Sequence, residues 1–171
     1  MGGKDIILGL LIEKSRTGYE IKQVFETVFS HFYTSSYGMI YPTLKKLEKE
    51  GLVEKKVVNQ EGKPSKNVYS ITDDGVREFN LFLKKDFAPE TRESEFMVRM
   101  YLGSYADEYM LKEWIQQEIK LKEAAISQLE KNYQNWKDVM TFSQKITYEI
   151  GLEQYQIEVK ILKEKLNEIT M

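Results

Sequence analysis

Cysteine is absent and histidine occurs once, at His31. Without thiols there can be no disulfide framework, thiolate metal site or cysteine nucleophile. A single imidazole leaves no His-rich metal site and makes a Ser-His-Asp triad a poor reading. Long apolar runs are missing too, and none approaches the roughly 18 residues of a membrane span. The start, Met1-Gly2-Gly3-Lys4-Asp5, has no signal-peptide apolar region, and Ile6 breaks the myristoylation pattern. There is no paired acid/base motif, no phosphate-cradling glycine loop and no metal-ligand spacing. The expectation is a soluble, cytoplasmic chain with no cofactor and no metal, and not an enzyme. Proline is scarce, and all three (Pro42, Pro64, Pro89) lie before residue 90, as do eight of the ten glycines. The first half is therefore punctuated, whereas the second reads as long helix.

The 171 residues are 42% hydrophobic and 12% aromatic, enough for a core in one domain or two small ones. The net charge of −2, taken whole, leans away from nucleic acid, but it is unevenly spread. Residues 1–86 carry 14 Lys+Arg and 12 Asp+Glu, while residues 87–171 carry 11 and 15. The expected division is a domain at 1–86 and a helical domain at 87–171.

Ile6, Ile7, Leu10 and Leu11 recur at helical spacing and predict a first helix over about 4–14. Thr17 can cap a second, marked by Tyr19, Ile21, Val24, Phe25, Val28 and Phe29 and running to about His31, where a helix-end or packing role is expected. Thr34-Ser35-Ser36 offers caps for a third helix reaching Glu50, with Ile40, Leu44 and Leu47 inward and Gly51 as its stop. Pro42 inside it reads as a tolerated kink near the first turns, because Gly38, four residues back, gives the backbone room. Leu52–Val58 and Asn67–Ile71 read as two strands around a loop at 59–65. Thr72 then caps a fourth helix with Val76, Phe79, Phe82 and Leu83 inward. Helix, helix, helix, hairpin and helix make the outline of a winged helix-turn-helix: mainly α, with a small β-hairpin wing.

The third helix offers Ser36, Tyr37, Tyr41, Lys45, Lys46 and Lys49 on its other face. Such a helix fits the major groove of B-DNA, where hydroxyl and basic groups meet base edges and phosphates. Residues 45–66 hold seven Lys and four Glu, a local excess of positive charge in an acidic chain. Those lysines can equally serve as solubilising surface, and Tyr37 and Tyr41 as partly buried aromatics.

Three blocks resemble the PadR-type transcriptional regulators: Gly18-Tyr19-Glu20-Ile21; Ser36 through Val53, containing Tyr41-Pro42-Thr43-Leu44; and Gly62-Lys63-Pro64-Ser65 through Thr72-Asp73-Asp74-Gly75. They stand in the family's order and spacing between Gly18 and Gly75. Lys63 replaces the arginine usual before that proline, and Asn67 stands where a basic residue is common. The first change exchanges a planar fork for a point charge. The resemblance implies a homodimeric binder of double-stranded operator DNA, most often a repressor. By that analogy Ser36, Tyr41 and Lys45 face the major groove. Tyr19 and Lys22 hold phosphates, and Lys63 and Lys66 on the wing approach the minor groove or its phosphates. Packing beside Ile21 and Phe25 is the other reading of Tyr19, and Gly18 is read as permitting a tight turn between the first two helices. A winged-helix module that binds proteins, without DNA specificity of its own, is the alternative function.

In the second half, Phe96–Gly103 reads as an apolar helix ending at glycine, and Asp107 can cap a helix to about Met140. Ile115, Ile119, Lys122, Ile126, Leu129, Tyr133, Trp136 and Met140 there, and Tyr148, Leu152, Tyr155, Val159, Leu162, Leu166 and Ile169 in the last helix, alternate at spacings of four and three. This 3.5-residue repeat marks a coiled-coil-like seam. Ile146, Ile150, Ile157 and Ile161 widen the apolar face. The seam reads as a dimerisation surface (Ile126, Leu129, Tyr133, Trp136, Leu152, Tyr155, Val159, Leu162, Leu166) or as an antiparallel hairpin within one chain. The segment also resembles the long C-terminal helical domain of the PadR subgroup that includes virulence activators. Trp114 and Trp136 read as packing, or as a site for a small aromatic effector of the kind some relatives bind.

Overall fold

Apolar residues at helical spacing and side-chain caps at helix starts account for most of the elements in a computed structural model, which describes residues 2–33, 37–60, 62–90 and 93–170. The chain divides into two compact units, Met1–Ala88 and Pro89–Met171.

In the first unit, α1 (Gly3–Glu13) buries Ile6, Ile7, Leu8 and Leu11. A two-residue strand follows, β1 (Arg16–Thr17), where the sequence suggests only a connection. α2 (Gly18–Val24) starts on Thr17, whose hydroxyl accepts from Glu20 N at 3.2 Å while Thr17 N donates to the Glu20 carboxylate at 2.6 Å. That reciprocal pair is a capping box. The helix expected to reach His31 ends at Val24 and passes into a wider π-helical turn over Phe25–Phe29. Phe25, Phe29, Phe32 and Tyr33 pack ring to ring there, at centroid distances of 5.3–5.8 Å. His31 lies edge-on to Phe32 at 4.6 Å, in the packing role expected of it.

The expected caps Thr34, Ser35 and Ser36 lie outside the described residues. A 3-10 turn, Tyr37–Met39, leads into α3 (Ile40–Lys49). Pro42 is thus the third residue of α3, in its first turn, where the sequence places it. Its missing N–H falls among the first-turn donors that have no helical acceptor in any case. α3 ends in a Schellman motif: Gly51, at φ 71°, donates to Glu48 O at 3.1 Å and Leu52 N to Leu47 O at 2.9 Å.

β2 (Val53–Gln60) and β3 (Lys63–Ile71) form the wing, and β1 pairs on the far side of β3 in the order β1-β3-β2, all antiparallel. The loop expected at 59–65 is shorter, since Gln60 pairs with Lys63 and Gly62 turns the chain at φ 69°. α4 (Asp73–Leu83) is capped by Thr72, which accepts from Gly75 N at 3.1 Å and donates to Gly51 O at 2.8 Å. Gly75 is required by close approach, because a methyl group there would stand 2.2 Å from the Leu52 carbonyl oxygen. Leu83, expected inward, is exposed in the last turn of α4. The core collects Ile6, Ile7, Leu8 and Leu11 with Ile21, Phe25, Ile40, Leu44, Leu47, Val53 and Tyr69.

In the second unit, α5 (Glu95–Tyr101) is capped by Ser94 and followed by a 3-10 turn at Gly103–Tyr105. α6 (Glu108–Trp136) starts on Asp107, which accepts from Met110 N at 2.7 Å. α7 (Phe142–Thr170) starts on Thr141, paired reciprocally with Gln144. Near the middle of α6, Lys122 and Glu123 reach Glu158 (2.8 Å) and Lys163 (2.6 Å) of α7, while near its end Tyr133 stacks on Tyr148 (4.3 Å) close to the start of α7, so the helices are antiparallel. Ile115, Ile119 and Val159 form the buried centre, joined by Phe96, Met100, Ile126, Leu162, Leu166 and Ile169. Leu129 is buried as well. Lys122, the one polar member of the α6 repeat, sits between Glu118 (3.4 Å) and Glu158 with its ammonium 5.0 Å over the Tyr155 ring. Part of the coiled-coil-like repeat is thus packed within the chain. Ile146, Ile150, Ile157 and Ile161 remain 40–54% exposed.

Candidate nucleic-acid interface

α3 presents its two faces as its periodicity dictates. Ile40, Leu44 and Leu47 are at most 1% exposed, whereas Tyr41, Lys45, Lys46 and Lys49 face solvent. Tyr41 is 57% exposed, so the reading of it as a partly buried core aromatic does not hold. Its ring edge nevertheless has a seat. A methyl group on Gly18 would stand 2.5 Å from Tyr41 Cε1 and 3.1 Å from Cζ. Gly18 does not have positive φ, so the glycine serves the approach of that ring and not a tight turn.

Tyr19 is 62% exposed and accepts from Gln23 Nε2 at 3.4 Å, which removes the alternative of packing beside Ile21 and Phe25. Lys22 pairs with Glu26 at 3.3 Å and Lys46 with Glu50 at 3.8 Å, so each carries a counter-ion. Lys55 on β2 pairs with Glu48 on α3 at 3.1 Å and ties the wing to the helix. Lys45, Lys49, Lys56 and Lys66 are exposed, and among the described residues none of them makes an ion pair. Ser36 lies outside the described residues. Tyr37 and Lys63 are placed by their backbones, in the 3-10 turn before α3 and at the start of β3.

Electrostatics link these parts. Thr17 hydrogen bonds hold the Glu20 carboxyl below its usual range, with Lys66 and Lys14 adding to the effect. Burial pushes the Tyr69 phenol up, with Lys55, Glu48 and Tyr41 as its charged or ionisable neighbours. The start of α2, the exposed face of α3 and the Lys66 side of the wing thus converge around Gly18 and Glu20.

Sequence reasoning missed three contributors. Arg16 is 8% exposed, and its guanidinium donates to Leu10 O at 3.2 Å and to Glu13 at 2.5 Å, closing the end of α1 instead of facing a partner. No local pattern announces it. Glu20, three residues after Thr17, was legible as a capping box. The Glu48–Lys55 pair joins two elements and has no signature in spacing. Among the described residues no group of three or more metal-ligating side chains gathers, and no helix is long and apolar enough to cross a membrane.

Trp114 lines a cleft of about 330 Å³ with Phe96, Arg99 and Glu118, the Arg99 guanidinium lying 5.6 Å from the ring centroid. Trp136 closes the far end of the same helix, roughly 33 Å away at 1.5 Å per residue. The fold does not bring the two tryptophans into one site.

Residues 7–81 match the family described as the transcriptional regulator PadR-like family. The negative transcriptional regulator PadR of Bacillus subtilis (strain 168) is 31% identical over 132 residues, 77% of this chain and 72% of that protein. The chain belongs to the PadR-like family of transcriptional regulators. This is a family of regulators, not of enzymes. A crystal structure of a PadR-like transcriptional regulator from Bacillus cereus superposes with a TM-score of 0.92 at 43% identity, covering 99% of this chain and 98% of that one. Bacillus subtilis PadR in complex with operator DNA gives a TM-score of 0.82 at 28% identity, over 97% and 98% of the two chains. The same regulator in complex with p-coumaric acid gives 0.76 at 27% identity, over 98% of each. The similarity thus extends through both units, well beyond the winged-helix blocks from which the PadR resemblance is legible.

Proposed function

We propose that this PadR-like regulator binds an inverted-repeat operator in double-stranded DNA as a homodimer and represses transcription. The observation that carries the reading is the exposed row of Tyr41, Lys45 and Lys49 on α3, flanked by Lys56 and Lys66 on the wing. Hydroxyl and unpaired ammonium groups on one helix face suit base edges and phosphates together. That the similar Bacillus subtilis PadR is found in complex with operator DNA supports a DNA-binding role, and a helix with such a face suits the major groove. In this reading Ser36, Tyr37, Tyr41 and Lys45 enter the groove, Tyr19 and Lys22 hold the backbone, and Lys46, Lys63 and Lys66 add phosphate contacts. A two-fold dimer sets two α3 helices roughly 34–36 Å apart, one DNA turn. The α6–α7 unit supplies the dimer contact, through the part of its apolar surface that the hairpin leaves uncovered. A small aromatic effector, by analogy with the p-coumaric acid complex, has Trp114 and its cleft as the candidate position in this chain.

Selection of genomic fragments by the purified full chain tests this. Recovered sites should share an inverted repeat whose half-sites lie one turn apart, and a promoter fusion should be repressed when the chain is expressed. Retention of a protein partner with no enriched DNA would instead favour the interaction-module reading.

A further inference from the structure

The contact between Tyr41 and Gly18 bears on how the recognition surface is held. Gly18 follows directly on two fixed residues. Arg16 and Thr17 pair with Tyr69 and Val68 of β3, and Thr17 is locked by the reciprocal bonds with Glu20. The backbone at Gly18 is therefore pinned from two sides and cannot recede. Gly18 is itself buried, beneath a Tyr41 ring that is otherwise mostly in solvent. A methyl group at Gly18 would meet the ring at 2.5–3.2 Å across three carbons. The ring, with solvent on its open side, is the part that a methyl group would push out of place.

We propose that Gly18 is a positioning residue for operator recognition: its bare α-carbon is the seat that holds the Tyr41 ring, and through it the phenolic hydroxyl, in the orientation that reads DNA. This rests on the reading of the chain as an operator binder. An unseated tyrosine on an exposed helix face would sample several rotamers and lose that freedom on binding. A seated one meets the groove already ordered. The seat belongs to α2 and the reader to α3, so the contact also fixes the two helices relative to each other at the point where both approach DNA. The glycine of the Gly18-Tyr19-Glu20-Ile21 block thereby acquires a role in specificity that a turn glycine would not have.

The test is a double-mutant cycle on the full chain with the operator recovered by selection. Gly18→Ala should keep the circular dichroism spectrum and oligomeric state, and lose about ten-fold in operator affinity with little change for random-sequence DNA. Tyr41→Ala should lose at least as much. Adding Gly18→Ala to Tyr41→Ala should cost nothing further, because no ring remains to displace. Tyr41→Phe keeps the ring seated, so Gly18 resonances of the free protein should shift in Tyr41→Ala and stay in place in Tyr41→Phe. Wild-type affinity in Gly18→Ala, an equal loss on specific and random DNA, or an undiminished Gly18→Ala loss in the Tyr41→Ala background overturns the proposal. If Gly18→Ala fails to fold, folding of the double variant supports the seat, and failure of both overturns it. A wild-type chain that enriches no DNA overturns the operator reading and this one together, whereas additive variants on an intact operator overturn this one alone.

Discussion

The salt dependence of operator binding can be worked from the ion pairs of the free protein. On α3 and the wing, the exposed lysines Lys45, Lys49, Lys56 and Lys66 make no ion pair among the described residues, so a dimer brings eight of them. If each neutralises one phosphate, while Lys22 and Lys46 exchange their carboxylates for phosphate and add little net charge, log K falls with log salt at a slope of about −7, steeper where Lys63 adds its contact. Between 50 and 200 mM KCl the affinity then drops roughly 10⁴-fold. Lys45→Ala removes two of the eight charges, which brings the slope to about −5 and the drop to roughly 10³-fold. Lys55→Ala provides the comparison. That ammonium is already held by Glu48 at 3.1 Å, and its release to DNA would expose a half-buried carboxylate. Its slope should therefore stay near the wild-type value. Fluorescence anisotropy with a labelled operator across the salt range measures all three. A slope near zero would remove the electrostatic account altogether. Equal changes in Lys45→Ala and Lys55→Ala would show that pairing in the free protein does not select which lysines meet phosphate.

Three predictions concern the scaffold. Lys122→Met leaves Glu118 and Glu158 without their shared cation and should lower unfolding stability by about 2 kcal/mol in urea titration. Burial alone would lower the Lys122 pKa, but the hydrogen bond to and charge of Glu158, with Glu118, raise it above the ordinary 10.5. Its contribution is therefore complete below pH 10.5 and lost as pH rises through the higher folded value, a loss that Lys122→Met should not show. Gly75→Ala drives a methyl group into the Leu52 carbonyl and should cost about 2–3 kcal/mol, read as a lower urea midpoint; a neutral result would mean that α4 shifts freely. Thr17→Ala should cost about 1 kcal/mol at neutral pH. Because the Glu20 pKa is lowered by its Thr17 bonds, the wild type loses that stability as pH falls from 4.5 through the folded value, and the variant should lose less.

What could be read from the chain was what short-range physics decides. Ile40, Leu44 and Leu47 fall inward because the helical period puts them there, and Thr17, Thr72 and Asp107 cap helices because a small polar side chain reaches the next free N–H. What could not be read depends on partners distant in sequence. β1 is two residues long and exists only because Tyr69 and Val68 pair with it from some fifty positions away. Arg16 caps α1 through its guanidinium, a role that no local pattern announces. Gly18 looked like a turn residue because the ring that needs it lies on another helix. In each case the residue type was visible while its contact was not.

The coiled-coil-like repeat carries the same ambiguity into the proposed dimer. A 3.5-residue stripe requires an apolar partner without saying which chain supplies it. Here α6 and α7 satisfy each other through Ile115, Ile119, Ile126, Val159, Leu162 and Leu166, so these side chains are already covered. What a second copy can still cover is the row Ile146, Ile150, Ile157 and Ile161. Four half-exposed isoleucines fall short of the roughly 800 Å² that each partner contributes to a standard interface. The row does not end there, however. Ile161 borders an apolar groove of about 880 Å³ whose other wall is Phe96, Met97 and Val98 of α5, and Met97 and Val98 are about 60% exposed. A dimer contact spanning the α7 row, the groove and α5 would offer a larger apolar surface than the four isoleucines alone. Ile157→Glu with Ile161→Glu should then give a monomer by light scattering, with helical content intact because neither residue belongs to the hairpin's buried centre. Operator affinity should collapse to that of a single half-site. A double variant that remains dimeric would place the contact elsewhere, and one that unfolds would show that these isoleucines support the hairpin itself.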